Sequence, residues 1–185
     1  VLDLCAGTGV VTSLLASKVG GKGSVTAIEK HDEPLERARK NNAGNSNVTL
    51  LRGNVDVYAG PHKEGGHFKG GLLEIITACE PLPKEAMGRK YDHVTLFDAI
   101  SYLSPVTEMI ALPVVVSSML KPGGRFTYST LLGKGEKETQ RVWDALRHAG
   151  LDHERTVRKG ANHFYVFKRA SDEEAQKRLE KRYAA

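Results

Sequence analysis

Val1-Leu2-Asp3-Leu4-Cys5-Ala6-Gly7-Thr8-Gly9-Val10 decides the reading of this chain, because an apolar strand breaks into a glycine-bracketed turn and runs straight into a helix. Glycine lets a backbone approach a ligand with no Cβ in the way, and the start of the following helix offers N–H groups that have no partner inside it. Together these make a nucleotide-cofactor cradle. A carboxylate at Asp3, just before the turn, adds a preference. A dinucleotide site places an anionic pyrophosphate on the helix N-terminus, whereas an acid beside the turn suits a ligand with cationic groups.

Working outward, Val1 to Leu4 reads as a buried parallel strand, and Val10 to Val19 as a helix with apolar residues at Val11, Leu14, Leu15 and Val19. Ser24 to Ile28 reads as a second strand closed by Glu29. Pro34 to Asn42 reads as a charged helix with Leu35 and Ala38 inward, and Asn47 to Leu51 as a third strand. Such alternation argues for a parallel, doubly wound α/β sheet with right-handed crossovers. The stretch from Ala59 to Lys90 breaks the rhythm with a Gly/His/Lys-rich loop, Gly60 to Gly71, and a short apolar helix from Leu72 to Cys79. Loops of that length inside a compact domain are functional or mobile.

Beyond it the pattern resumes. Tyr91 to Phe97 is a fourth strand ending at Asp98, and Val106 to Leu120 reads as mostly helical despite Pro113. Lys121-Pro122-Gly123-Gly124 is expected to be a tight turn into a fifth strand, Arg125 to Thr130. Glu136 to Ala149 is an amphipathic helix with Val142, Trp143 and Leu146 as its stripe, followed by strands Asp152 to Val157 and His163 to Lys168. Ser171 is placed to cap a charged helix from Asp172 to Arg182.

Composition narrows the class. With 185 residues and 40% hydrophobic content, the chain is long enough to bury one core. The longest apolar run, Met109 to Val116, is interrupted by Pro113 and falls short of the roughly 20 residues a bilayer crossing needs, so no membrane partner is expected. Cys5 and Cys79 give no disulfide framework and read as reduced thiols of an intracellular, reducing compartment. A formal charge of +5 fits an anionic partner without requiring one. Because Val1 is not an initiator methionine and the glycine motif is already under way, an N-terminal part is expected to lie ahead of it.

Glu29 follows Gly9 by about twenty residues at the end of the second strand, where a carboxylate can accept both hydroxyls of a ribose. Thr12 stands where nicotinamide dehydrogenases carry a third glycine. Leu120-Lys121-Pro122-Gly123-Gly124-Arg125-Phe126, between a helix and a strand, resembles the fifth-strand entry of class I S-adenosylmethionine-dependent methyltransferases. With Val1 to Gly9, Glu29 and Asp98, this resemblance covers nearly the whole chain. It implies a Rossmann-like doubly wound, mostly parallel seven-stranded sheet with a C-terminal antiparallel strand pair. On that reading residues 1–170 form the catalytic domain, with an insertion at about 59–90, and residues 171–185 form a charged helical tail.

The resemblance also assigns roles. Asp3, Cys5, Ala6, Gly7, Thr8, Gly9 and the helix start would embrace the methionine moiety of S-adenosylmethionine, Glu29 the ribose, and Lys30 would flank the adenine. Asn54 and Val55 sit where the family makes an adenine-edge contact, often through an aspartate; the amide oxygen of Asn54 can still accept a hydrogen bond from an amino group. Asp98 ends the fourth strand at the topological switch point, where ligands of open sheets lie, and would both contact the cofactor and orient or deprotonate the acceptor.

Phe97-Asp98-Ala99, Tyr128-Ser129-Thr130 and His163-Phe164 look further like RNA cytosine-C5 methyltransferases. Those enzymes use cysteines at positions that here hold Ser101 and Leu131. Neither residue supplies the thiolate that must add to a pyrimidine before its C5 carbon becomes nucleophilic, so C5 methylation is not expected. A second resemblance is to tRNA adenine-N1 methyltransferases, whose strand-four aspartate receives a proton from the adenine amino group. RNA is the expected substrate; a small molecule or a protein acceptor, or an RNA-binding or assembly factor that has lost catalysis, are the alternatives. His62, His67, His163 and Cys79 match no compact metal-ligand spacing. Lys63, Phe68 and Lys69 are candidate phosphate and base contacts on a loop that is otherwise solvated, and Tyr128 and Trp143 read as core or site wall.

Overall fold

The structure is a computed structural model and describes residues 1–55, 82–100, 103, 111–131 and 136–183. The expected loop at 60–71, the helix at 72–79 and the first part of the helix at 106–120 lie outside the described residues, and with them His62, Lys63, His67, Phe68, Lys69, Cys79 and Ser101.

In chain order the elements are β1 (Leu2–Leu4), α1 (Val10–Val19), a 3₁₀ turn (Gly20–Lys22), β2 (Val25–Glu29), α2 (Asp32–Asn41), β3 (Val48–Arg52), α3 (Lys84–Met87), β4 (Tyr91–Leu96), α4 (Leu112–Met119), β5 (Leu120–Leu131), α5 (Glu136–His148), β6 (Leu151–Lys159), β7 (Asn162–Arg169) and α6 (Asp172–Tyr183). The strands form one seven-stranded sheet in the order β3-β2-β1-β4-β5-β7-β6. β1 pairs in parallel with β2 and with β4, and β2 with β3 and β4 with β5 likewise, while β7 runs antiparallel to both β5 and β6. This is the expected Rossmann-like architecture with its antiparallel C-terminal pair. Every residue of β1 and β2 is buried, the polar Asp3, Thr26 and Glu29 included, as expected of central parallel strands covered on both faces.

Local sequence accounts for several helix ends. α2 opens with Asp32 and Glu33 and closes with Arg39 and Lys40, charges that match its macrodipole, and it buries Leu35 and Ala38 as expected. Pro113 lies in the first turn of α4, where its missing N–H leaves no hydrogen bond unmade. The Ser171 Oγ accepts the Glu174 N–H at 3.2 Å, capping α6. That helix is exposed along most of its surface but buries Ala175 and Leu179. Gly150 has a φ of +80°, and a Cβ there would lie 2.6 Å from the Ala175 Cβ, so glycine lets α6 lie against the start of β6.

Two expectations are corrected. The apolar spacing of α1 marks its buried face only in part: Val11, Leu15 and Val19 are half-buried, Leu14 is 63% exposed, and the fully buried residues are Thr12 and Ala16. The inward face carries small side chains, and Thr12 reaches from it to the buried Asp3 carboxylate in β1. The second correction concerns Lys121 to Gly124, expected as a turn ahead of the strand. β5 is continuous from Leu120, which pairs with Tyr91, and the ladder resumes at Arg125 opposite His93, so the four residues form a bulge within it. Gly123 supplies a φ of +76° there, and the Lys121 Nζ pairs with Asp92 at 2.8 Å.

The core is layered between sheet and helices. Phe126, Tyr128 and Phe167 are its largest fully buried side chains on the C-terminal side, and the Trp143 Nε1 donates to the Tyr128 hydroxyl at 3.0 Å. Both residues belong to the packing, as read from the sequence. Among the described residues no helix is long and apolar enough to cross a membrane.

Candidate functional site

The site lies at the carboxyl ends of β1, β2 and β4, where the strand order reverses direction from the middle of the sheet. The chain leaves β1 through Cys5 (φ +56°), Gly7 (φ +56°) and Gly9 (φ +76°), so the backbone takes the left-handed region at three of five positions. Cys5 accepts that conformation with a side chain, which costs about 1 kcal/mol or more. Backbone bonds hold the turn in place. The Ala6 N–H donates to the Ile28 carbonyl at 2.9 Å and the Gly9 N–H to the Ala6 carbonyl at 3.0 Å.

The glycines serve different ends. A Cβ at Gly7 would meet nothing within 4 Å, so the open side of the turn is there. A Cβ at Gly9 would lie 2.8 Å from the Ala38 Cβ and 2.7 Å from the Asn42 Nδ2, so this glycine admits α2 and not a ligand.

Glu29 is 6% exposed. Its Oε2 accepts the Gly7 N–H at 2.9 Å and its Oε1 the His31 N–H at 2.9 Å. One carboxylate thus ties the glycine turn to the exit of β2. A carboxylate offers about four lone-pair sites, so two backbone donors leave room for two more.

Asp3 sits one layer below. It is 2% exposed, its Oδ2 accepts the Thr12 hydroxyl at 2.7 Å and its Oδ1 the Thr95 hydroxyl at 2.9 Å. Burial pushes its carboxyl above the ordinary value, against the two hydroxyl donors that favour the charged form. Asp3 fastens the first turn of α1 to β1 and β4 from beneath and does not line the cleft.

The cleft itself has a volume of about 390 Å³, within the range of small-molecule sites. Five of the residues singled out in the sequence line it: Cys5, Glu29, Lys30, Asn54 and Val55. Ala6, Gly7, Thr8 and Gly9 form the adjoining turn rather than its wall. Sequence reasoning missed Ile28, His31, Gly53, Ala99 and Leu103, which complete the lining. Gly53 had a detectable signal, a glycine directly after β3: a Cβ there would come within 2.5 Å of the Pro83 ring. His31 and Ala99 follow strand ends next to residues that were identified, and Leu103 arrives from a stretch with no motif.

Asp98, just past the end of β4, is exposed and holds a φ of +52°. The Ser129 hydroxyl brackets it, donating to Oδ1 at 2.7 Å and accepting the Asp98 N–H at 3.0 Å. Ser129 is 1% exposed, so a buried hydroxyl fixes an exposed carboxylate beside Ala99. Leu131 is the last residue of β5. His163 lies on β7 with its Nδ1 3.3 Å from the Tyr165 hydroxyl, and among the described residues no group of three or more His, Cys, Asp or Glu is placed to hold a metal.

A family profile described as a methyltransferase domain matches residues 1–70, the stretch from β1 through β3 and beyond. The fold is shared with solved methyltransferase structures. A methyltransferase from Pyrococcus furiosus is 21% identical and aligns over 91% of this chain and 74% of its own, with a TM-score of 0.60. The N-methyltransferase NodS of Bradyrhizobium japonicum WM9, solved with S-adenosyl-L-homocysteine, is 15% identical over 91% of this chain and 76% of its own, with a TM-score of 0.61. The fibrillarin pre-rRNA processing protein of Methanococcus jannaschii is 18% identical over 92% of this chain and 66% of its own, with a TM-score of 0.63. At these identities the likeness is one of fold.

Proposed function

We propose that this chain is an S-adenosylmethionine-dependent methyltransferase that acts on RNA, tRNA or rRNA, and does so without cytosine-C5 chemistry. The observation that carries the cofactor is Glu29: a buried carboxylate at the end of β2, already tied to the glycine turn, with acceptor capacity left at the cleft. The fit is supported by the open space at Gly7, where a ligand can lie against backbone. In this reading Glu29 takes the ribose hydroxyls, Lys30 and His31 flank the adenine, and Asn54 with Val55 meets its edge. Cys5 to Gly9 and the start of α1 receive the amino-acid end, with Asp3 bracing them through Thr12.

When bound, the cofactor supplies a methyl group on a sulfonium, whose departure as a neutral thioether needs no activation by the protein. The protein's share is alignment and the handling of one proton. Asp98 stands at the carboxyl end of β4, next to the cleft residue Ala99, and accepts the proton of the acceptor while Ser129 holds one of its oxygens. Support for RNA comes from the stretches at 97–99 and 128–130, from the charge of +5, and from the shared fold of an archaeal pre-rRNA processing protein. Absence of cysteine at positions 101 and 131 supports the exclusion of C5 chemistry.

Transfer of a labelled methyl group from S-adenosylmethionine, offered total RNA, a small-molecule extract and a protein extract in parallel, tests this. Label in RNA, in a base other than 5-methylcytosine, is the expected result. Label confined to the other two pools contradicts the RNA assignment, and 5-methylcytosine made by the purified protein contradicts the chemistry.

A further inference from the structure

The glycine turn is gripped from behind by asparagines that the cofactor contacts leave unused. From the end of α2 the sequence runs Asn41-Asn42-Ala43-Gly44-Asn45-Ser46-Asn47. The Asn41 Nδ2 donates to the Thr8 carbonyl at 2.9 Å. The Asn42 Nδ2 donates to the Gly9 carbonyl at 3.0 Å and to the Ala38 carbonyl at 3.0 Å, and Asn42 is 5% exposed. The Asn45 Nδ2 donates to the Asn42 Oδ1 at 3.0 Å, which fixes which end of the Asn42 amide faces the turn. Asn47 secures the far end of α1 by donating to the Ala16 and Gly20 carbonyls at 3.1 and 3.0 Å.

The consequence follows from the peptide group. It is planar and trans, so a carbonyl and the next N–H point in opposite directions. Holding the Gly9 carbonyl toward Asn42 and the Ser13 N–H, which donates to it at 3.0 Å, sends the Val10 N–H out of the N-terminal end of α1. Holding the Thr8 carbonyl through Asn41 likewise sets the Gly9 N–H onto Ala6. A turn left without these ties would have to be ordered by its ligand, at the expense of affinity.

We propose that Asn42, supported by Asn41 and Asn45, is a positioning residue for the amino-acid end of the cofactor: it pre-sets the glycine turn so that the Val10 N–H meets the carboxylate of the methionine moiety. This rests on the cleft being an S-adenosylmethionine site. The same geometry explains why residue 9 is glycine, since its missing Cβ makes room for the Asn42 amide.

Calorimetry with two probes tests the role. S-adenosylhomocysteine carries the amino-acid end; 5′-methylthioadenosine shares the adenine and ribose and lacks it. Asn42→Leu keeps the branched shape at a somewhat larger volume and removes both donors. Affinity for S-adenosylhomocysteine is expected to fall about tenfold or more, with affinity for 5′-methylthioadenosine unchanged within about twofold. Asn41→Ala, at an exposed side chain, is expected to move the first affinity in the same direction by about threefold, and carries the test alone if Asn42→Leu does not fold. Equal losses for the two ligands, or no loss for S-adenosylhomocysteine, would overturn the positioning role while leaving the cofactor reading intact. A wild-type protein that binds neither ligand overturns the cofactor reading, and the proposal falls with it.

Discussion

The two halves of the candidate site are built differently. The half around β1 and β2 comes from one short stretch of chain, and its parts are cross-tied mostly through backbone: Glu29 to the Gly7 N–H, Asn41 and Asn42 to the Thr8 and Gly9 carbonyls, Ala6 to Ile28. The half around β4 and β5 is one exposed carboxylate and one buried hydroxyl, Asp98 and Ser129, joined across 31 positions of sequence. A binding surface made of backbone needs a particular chain path, and a path requires glycines and caps at fixed spacing. A proton acceptor needs only one side chain held still. The first leaves a long local signature and the second leaves almost none.

Substitutions break or sharpen this contrast. The largest effect belongs to the sparse half: Asp98→Asn should lower the rate of methyl transfer by about a hundredfold or more with the melting temperature retained, and an unchanged turnover would remove Asp98 from the chemistry. In the cross-tied half, Gly9→Ala should cost about 2–4 kcal/mol of stability in chemical denaturation, because it combines strain with overpacking against Ala38. Gly7→Ala adds a Cβ into open space and should cost about 1 kcal/mol, while weakening cofactor binding. Equal costs at the two glycines would contradict the division of labour between them. Thr12→Val, which deletes the buried donor to Asp3, should cost about 1–3 kcal/mol.

The smallest effect is one of pH. The carboxyl of Asp3 is raised in the folded protein from a reference of 3.8, mainly by burial. A raised carboxyl binds its proton more tightly when folded, so its stabilising contribution is full below the unfolded value and is lost as pH rises through the folded value. Stability of the wild type relative to Asp3→Asn should therefore decline as pH climbs from below 4 toward neutrality. A difference that is flat or rising over that window would mean that the hydroxyl donors of Thr12 and Thr95 outweigh burial.

The sequence carried the fold where the pattern was local. Ser171 marked the start of α6, the spacing of Leu35 and Ala38 marked the inward face of α2, and the strand-helix alternation marked the order of β1, β2 and β3. What it hid depended on partners distant in sequence. Thr12 looked like a departure from a glycine pattern, and its bond to Asp3 exists only once α1 lies on the sheet. Val11, Leu14, Leu15 and Val19 form an apolar stripe on α1, and spacing alone cannot say that the neighbouring face with Thr12 and Ala16 is the one fully covered. Lys121 to Gly124 read as a turn because the same residues suit a bulge, and only the pairing of β4 with β5 separates the two. The cleft was half legible for the same reason: residues at strand ends were found, and the lining contributed by Leu103 was not.

The strand-turn-helix at residues 1–10 and Glu29 are proposed to hold S-adenosylmethionine together. Titration of the wild type and of Glu29→Ala with S-adenosylhomocysteine addresses that proposal most directly. Binding of about micromolar strength is expected in the wild type, with a loss of about thirtyfold or more in the variant. No binding by the folded wild type at millimolar ligand, or equal binding by the two proteins, would contradict it.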